Sequence, residues 1–280
     1  MDKNKVDIDD TNISLDLSDA TQAVKENRFQ DAILLLKRIL KDQPDNIDAL
    51  YLSAVSSRFL KKFDESKSYI MDLLSNAPDM GRAYQEYGHL NRDQGNEEKA
   101  VMHYRQACEL NPALLASWNF LFQYFTKYKN KPAADHAEEQ LKKLKSLPSL
   151  LLYISQILNE GRLGLAEEKC RAFLKKNPTH TYAMSLLAEI ANRLGYFDDA
   201  EFLLEKAVEF SPDDGDLRTK YAEILRKKQK FSKTMEQVEI LCEKFPNNLN
   251  YKAQKASEIM QNGDHQEAIC LLYTSPSPRD

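Results

Sequence analysis

A small residue returns along this chain at Ala32, Ser66, Ala100, Ala134, Ala166, Ala200, Thr234 and Ala268, in steps of 34 broken once by a step of 32. Prolines form a second comb at Pro44, Pro78, Pro112, Pro178, Pro212 and Pro246, with Ser146 where one is missing. Two antiparallel helices approach closely only where the side chains at their crossing are small. Twelve residues before comb positions, Ala54, Gly88, Ala188, Ala222 and Ala256 supply the matching small residue of a first helix. Around the comb the apolar residues keep a helical period, as in Ala32, Leu35, Leu36, Ile39 and Leu40. Gly95, Gly161, Gly195 and Gly263 precede the second helix, where a tight turn favours a residue tolerant of positive φ. Phe29, Phe63, Leu163, Phe197 and Phe231 follow two positions later, placed to plug the hairpin end. Proline cannot continue a helix and so closes each unit.

A 34-residue unit of helix, turn and helix resembles the tetratricopeptide repeat. The resemblance implies an all-α, right-handed superhelix, an α-solenoid of about seven hairpins and a truncated eighth. In register the hairpins run 13–46, 47–80, 81–114, 115–146, 147–180, 181–214 and 215–248, and the eighth opens at 249. Residues 1–12 read as a flexible leader and 13–269 as one array. Asp16 and Asp19 fall on normally apolar positions of the first hairpin. The fourth is two residues short, has Lys129 at the turn and carries Pro132, tolerated in a first helical turn, so a change of curvature is expected near 129–150.

Only 8 Gly and 10 Pro in 280 residues suit helices rather than a sandwich or barrel. A net charge of −4 gives no electrostatic reason to expect nucleic acid. No apolar run is long enough to span a membrane, and the polar start has no secretory segment. The expected partners are therefore proteins or peptides, with no nucleic acid and no membrane. Cys108, Cys170 and Cys242 lie far apart at apolar or near-apolar positions and read as buried free thiols, which points to a reducing, cytoplasmic setting.

The C-terminus breaks the pattern. After Ile269 the chain ends Cys270-Leu-Leu-Tyr-Thr-Ser-Pro-Ser-Pro-Arg-Asp280, where Pro276 and Pro278 forbid a helix. One reverse translation of these eleven residues resembles a transposase-library sequencing adapter, so residues 270–280 read as a non-native tail and the natural product as longer.

No catalytic or metal-binding constellation is present. His89, His103, His136, His180 and His265 form no i, i+4 pair and stand near no cysteine at ligand spacing. Phosphate loops of the GxxxxGK[ST] or GxGxxG type are absent. Paired carboxylates such as Glu138–Glu139, Glu167–Glu168 and Asp198–Asp199 read as solvated helix faces. The run Arg226–Lys230 reads as a capping cluster at a helix C-terminus. Trp118 reads as core.

In the repeat class the inner wall is built from the second, fifth, ninth and twelfth positions of each first helix. Those positions give Tyr51 and Arg58, then Arg82, Gln85, His89 and Arg92, then Asn119 and Gln123, with Tyr182, Ser185, Glu189 and Asn192 further on. Arginines and amides facing one groove suit an extended peptide carrying carboxylates. Leu17 and Thr21 stand where the chaperone-binding members carry the Lys and Asn of their carboxylate clamp, which disfavours a chaperone-tail adaptor.

The segments from Tyr84 to Trp118, Arg193 to Asp214 and Leu225 to Phe231 resemble the repeats of bacterial proteins that carry such an array ahead of a sulfotransferase domain. That resemblance implies a non-catalytic array positioning a polypeptide acceptor. It also implies a separate domain using phosphoadenosine phosphosulfate (PAPS) at a PRSGT-like loop. This chain has no such loop, so no cofactor is expected in it. The alternative is a free-standing adaptor with no linked enzyme.

Overall fold

The computed structural model describes residues 3–261 and Gln266, with side chains from Ile13 onward. Among these residues there are fifteen α-helices and no strand. They are α1 (Lys3–Lys25), α2 (Phe29–Asp42), α3 (Ile47–Phe59), α4 (Phe63–Asn76), α5 (Gly81–Asp93), α6 (Glu97–Leu110), α7 (Leu115–Lys127) and α8 (Lys131–Lys145), then α9 (Ser149–Asn159), α10 (Leu163–Lys176), α11 (Thr181–Arg193), α12 (Phe197–Phe210), α13 (Gly215–Lys227), α14 (Phe231–Lys244) and α15 (Leu249–Gln261). The chain divides into two compact units, residues 1–161 and 162–280. The division falls between α9 and α10, inside the fifth expected hairpin.

First helices start on the expected boundaries at Ile47, Gly81, Leu115, Thr181, Gly215 and Leu249. Two boundaries differ. Pro148 takes the N-cap of α9, so that helix starts at Ser149 rather than 147. The backbone is helical from Lys3, through residues read above as a leader, because nothing in Lys3–Asn12 is a proline or glycine that would stop it. The C-terminal tail, Gly263 and Ala268 lie outside the described residues. Second helices end two residues before each comb proline, as α2 does at Asp42 and α12 at Phe210. Pro132 is accommodated in the first turn of α8, where the Asn130 side chain accepts a bond from the Ala133 N–H.

The close approach at each crossing is direct. Ala32, Ser66, Ala100, Ala166, Ala200 and Thr234 have no exposed surface, and Ala134 is buried. The Ser66 hydroxyl donates to the Ala54 carbonyl at 2.9 Å, joining the two small positions of one hairpin. A Cβ on Gly88 would stand 2.8 Å from the Tyr104 ring. Around these crossings Leu36, Ile39, Ile70, Leu73 and Leu90 of the first unit, and Leu204 and Leu225 of the second, are buried, each contributing about 1.5–3 kcal/mol. In the first hairpin Asp16 is half-buried and pairs with Arg38 of α2 at 3.2 Å, and Asp19 is exposed, so neither acid enters the core.

The turn before every second helix has positive φ. Gly95, Gly161 and Gly195 adopt it, and so do Asn27, Lys61, Lys129 and Gln229 at the same register. The topology imposes this conformation whatever residue stands there. The residues two positions on are half-buried or exposed rather than core, with Phe197 and Phe231 the most exposed. Phe29 stacks on Phe59 at 4.5 Å, bridging two hairpins instead of plugging its own.

Glycine relieves the left-handed penalty at such a turn, about 1–2 kcal/mol, but adds unfolded-state entropy. Lys129→Gly should therefore stabilise the first unit by a few tenths to ~1 kcal/mol, and Gly95→Ala should destabilise it by ~1 kcal/mol. Urea unfolding followed by helical circular dichroism measures both.

Candidate functional site

In the first unit, successive first helices pack on one another as well as on their own partners: α1 on α3, α3 on α5 and α5 on α7. This gives a continuous layer of first helices within that unit. Among the described residues no group of acids, histidines and cysteines could hold a metal ion. No described helix is long and apolar enough to cross a membrane. Cys108 and Cys170 are buried and Cys242 is half-buried, all as free thiols, and burial pushes the Cys108 thiol up to about 12 and the Cys170 thiol up to about 11.

The arginines expected to be open to a ligand are already paired. Arg58, on α3, is buried; its Nε donates to Glu86 Oε1 at 2.5 Å and its Nη1 to Asp93 Oδ2 at 2.7 Å, both acids lying on α5. Burial alone would lower the Arg58 pKa, but the two carboxylates hold it raised. Burial raises the Glu86 pKa against the opposing pull of Arg58. Arg92 binds Asp93 at 2.8 Å and keeps nearly half its side chain exposed. Arg82 pairs with Glu160: its Nη2 donates to Oε2 at 2.7 Å, and its Nε lies 2.5 Å from Oε1 without making a hydrogen bond. Its guanidinium lies over the Tyr51 ring, 4.6 Å from the centroid. Three free cationic groups, as the sequence suggested, are thus reduced to one partly available guanidinium. The reason is that a desolvated charge needs a counter-charge within the fold.

The remaining wall residues divide in the same way. Gln85 accepts a bond from the Ser117 hydroxyl at 2.9 Å, linking α5 to α7. His89 shares a 2.6 Å hydrogen bond with the Tyr104 hydroxyl through Nδ1. Burial, with Arg58 and Arg92 nearby, pushes its imidazole down to about 4. Asn119 is half-buried and Gln123 exposed, and neither side chain has a hydrogen bond among the described residues. Trp118 is half-buried and packs against the core of Tyr104, Cys108, Leu121 and Ala137; its Nε1 donates to the Pro112 carbonyl at 2.9 Å and its ring meets His136 edge-on. With Cys108, Leu121, Phe125 and His136 it borders a cavity of about 490 Å³ between α6, α7 and α8.

The basic run of the second unit is internally neutralised. Arg226 meets Glu258, Lys228 meets Asp198 and Glu201, and Lys230 donates to Glu201 at 2.6 and 2.7 Å. Lys227 donates to Asn192 Oδ1 at 2.8 Å.

Sequence reasoning missed Glu86, Asp93, Asn111 and Glu160. For the first two a signal existed, since Glu86 and Asp93 stand 28 and 35 residues after Arg58, close to one repeat. Glu160 lies 78 residues from Arg82, and no periodicity marks it.

Residues 81–114 and 158–215 each match a model of the tetratricopeptide repeat, and the chain carries these repeats. No curated protein matches it. Among solved structures it is similar to Naa15/Naa10 bound to HypK-THB, at 16% identity and a TM-score of 0.43, over 94% of this chain and 42% of that one. It is similar to the Cut9–Hcn1 hetero-tetramer of APC/C, at 16% identity and a TM-score of 0.39, over 92% of this chain and 52% of that one. A thermophilic repeat protein of Thermus thermophilus, TTC0263, matches at 17% identity and a TM-score of 0.34, over 89% of this chain and 99% of its own. The chain thus spans less than two thirds of the first of these structures.

Removing one member of a buried ion pair strands the other. Arg58→Ala should destabilise the first unit by about 3–5 kcal/mol, with helicity lost at lower urea, so it is unsuited to probing binding. His89 is neutral in the folded chain and takes a proton more readily once unfolded. Its contribution to stability is full above pH ~6.5 and is withdrawn as pH falls toward 4. Unfolding measured from pH 4 to 7 should therefore depend less steeply on pH in His89→Gln than in the original chain.

Proposed function

We propose that this chain is a non-catalytic protein-interaction scaffold whose first-helix layer in α3, α5 and α7 holds a polypeptide segment. The observation that supports this reading is the unbroken packing of successive first helices, on which the repeat register gives His89, Arg92, Asn119 and Gln123 inner-wall positions. Amides with no partner among the described residues are donors and acceptors for a peptide backbone, and Arg92 retains exposed donors for a carboxylate. Asn119 and Gln123 thereby take the place that Arg58 and Arg82 hold in the sequence reading.

The finer reading draws on the sequence resemblance alone: a sulfotransferase domain beyond the repeats would use PAPS, and this array would position its polypeptide acceptor. An independently cloned gene read past the codon for Ile269 distinguishes it from a free-standing adaptor, by a PRSGT-like loop or a stop.

A photo-crosslinking residue in place of Gln123 should capture a defined polypeptide, whereas the same residue in place of the exposed Met102 on α6 should not. With that polypeptide purified, Arg92→Ala combined with Gln123→Ala should weaken binding at least tenfold without loss of helicity. Equal capture at both positions, or unchanged affinity, overturns the assignment.

A further inference from the structure

How well the space beside each second helix is filled depends on two side chains of the repeat. One is the seventh residue of the first helix, and the other stands three residues after the small comb position. In the third hairpin they are Tyr87 and His103, whose rings stack at 4.0 Å, and Tyr87 also packs against the cluster of Ala54, Ile70 and Leu90. In the seventh, Tyr221 is buried with Leu204 and Val208 of α12, and its hydroxyl donates to Glu205 Oε1 at 3.3 Å. In the sixth the pair is Leu187 and Leu203, and a cavity of about 220 Å³ remains between α10, α11 and α12. In the fourth it is Leu121 and Ala137, the smallest of these pairs, and the cavity between α6, α7 and α8 is about 490 Å³.

That larger volume falls among small-molecule sites, which run to about 300–1,000 Å³ and combine apolar walls with a few polar groups. Trp118, Leu121 and Phe125 supply the walls, and Arg105, Glu109 and Asn130 stand at the edge. Arg105 is exposed and has no ion pair or hydrogen bond among the described residues. Its counterpart in the smaller cavity, Arg171, is held by Glu167 at 2.8 Å; on α6 the position of Glu167 is taken by Val101. The Asn130 side-chain oxygen caps α8, which leaves its NH2 group to donate outward. Glu109 at the same edge opposes a second negative charge on any ligand.

We propose that the cavity between α6, α7 and α8 binds a small, flat, apolar monocarboxylate. Its rings pack against Trp118, Leu121 and Phe125, and its carboxylate takes the Arg105 guanidinium and the Asn130 amide. None of these residues belongs to the set proposed above to hold a polypeptide, so the two readings stand or fall separately.

The test uses the full chain with biphenylcarboxylate as probe and biphenylcarboxamide as its neutral counterpart, titrated by calorimetry. Trp118 is the only tryptophan, so its emission reports occupancy of this cavity alone. The acid should bind and shift that emission, and the amide should bind at least about tenfold more weakly, as expected of a charge-assisted hydrogen bond. Arg105→Gln should bring the acid down to the affinity of the amide. Leu121→Tyr, which gives this hairpin the side chain that fills the third and seventh, should abolish binding of both with helicity retained. Should that variant lose helicity, Ala133→Leu, which enters the cavity from a half-buried position of α8, carries the same expectation. Leu187→Tyr in the second unit should leave binding unchanged. No heat or emission change with the acid at millimolar concentration, equal affinity for acid and amide, or binding that survives a folded cavity-filling variant overturns the proposal.

Discussion

Everything in this fold depends on how close two helices come at their crossing. Where Ser66 meets Ala54, and where Gly88 lies under the Tyr104 ring, no larger side chain fits without moving the helices apart. That distance sets the tilt of each hairpin, and the tilt decides which residues of the first helix are hidden and which face outward. It also explains why the turn is left-handed at all seven described positions, with Lys61, Lys129 and Gln229 held there as firmly as the glycines. A hairpin closed this tightly leaves the chain one way to reverse.

Charge is distributed around that constraint. Long polar side chains bury their stems between helices, and buried head groups such as Arg58 and Glu201 take partners from the neighbouring repeat. Arg58 takes Glu86 and Asp93; in the second unit Glu201 takes Lys228 and Lys230. Such pairs add little net stability relative to apolar packing, because desolvation offsets much of the attraction. Their effect is to fix register, since a slipped repeat would leave two charges buried and alone. The same satisfaction removes them from recognition, so the surface available to a partner is less cationic than the arginine count implies.

The shortened fourth hairpin is where regularity fails. Its missing residues and the Pro148 cap precede α9, whose C-terminal half buries Ile157 and Leu158 and adds polar contacts to the third hairpin. An irregularity legible as a step of 32 thus marks the place, though nothing in the step reveals where the helix goes.

What the sequence determined by itself is the local and near-neighbour structure. Six of the seven first-helix starts after α1 fall on the predicted residue, because small residues, turn positions and prolines recur with a period that only paired helices satisfy. In the sequence Tyr51, Arg82, Gln85, His89 and Arg92 were legible only as candidate positions. Their chemistry was not. Whether Arg82 is free or bound depends on Glu160, 78 residues away and out of any periodic relation to it, and whether His89 can carry charge depends on burial beside Arg58 and Arg92. Periodicity encodes contacts between adjacent repeats because the same geometry recurs there. A contact made once, by a helix that leaves the pattern, has no repeat to announce it, and only the tertiary structure decides it.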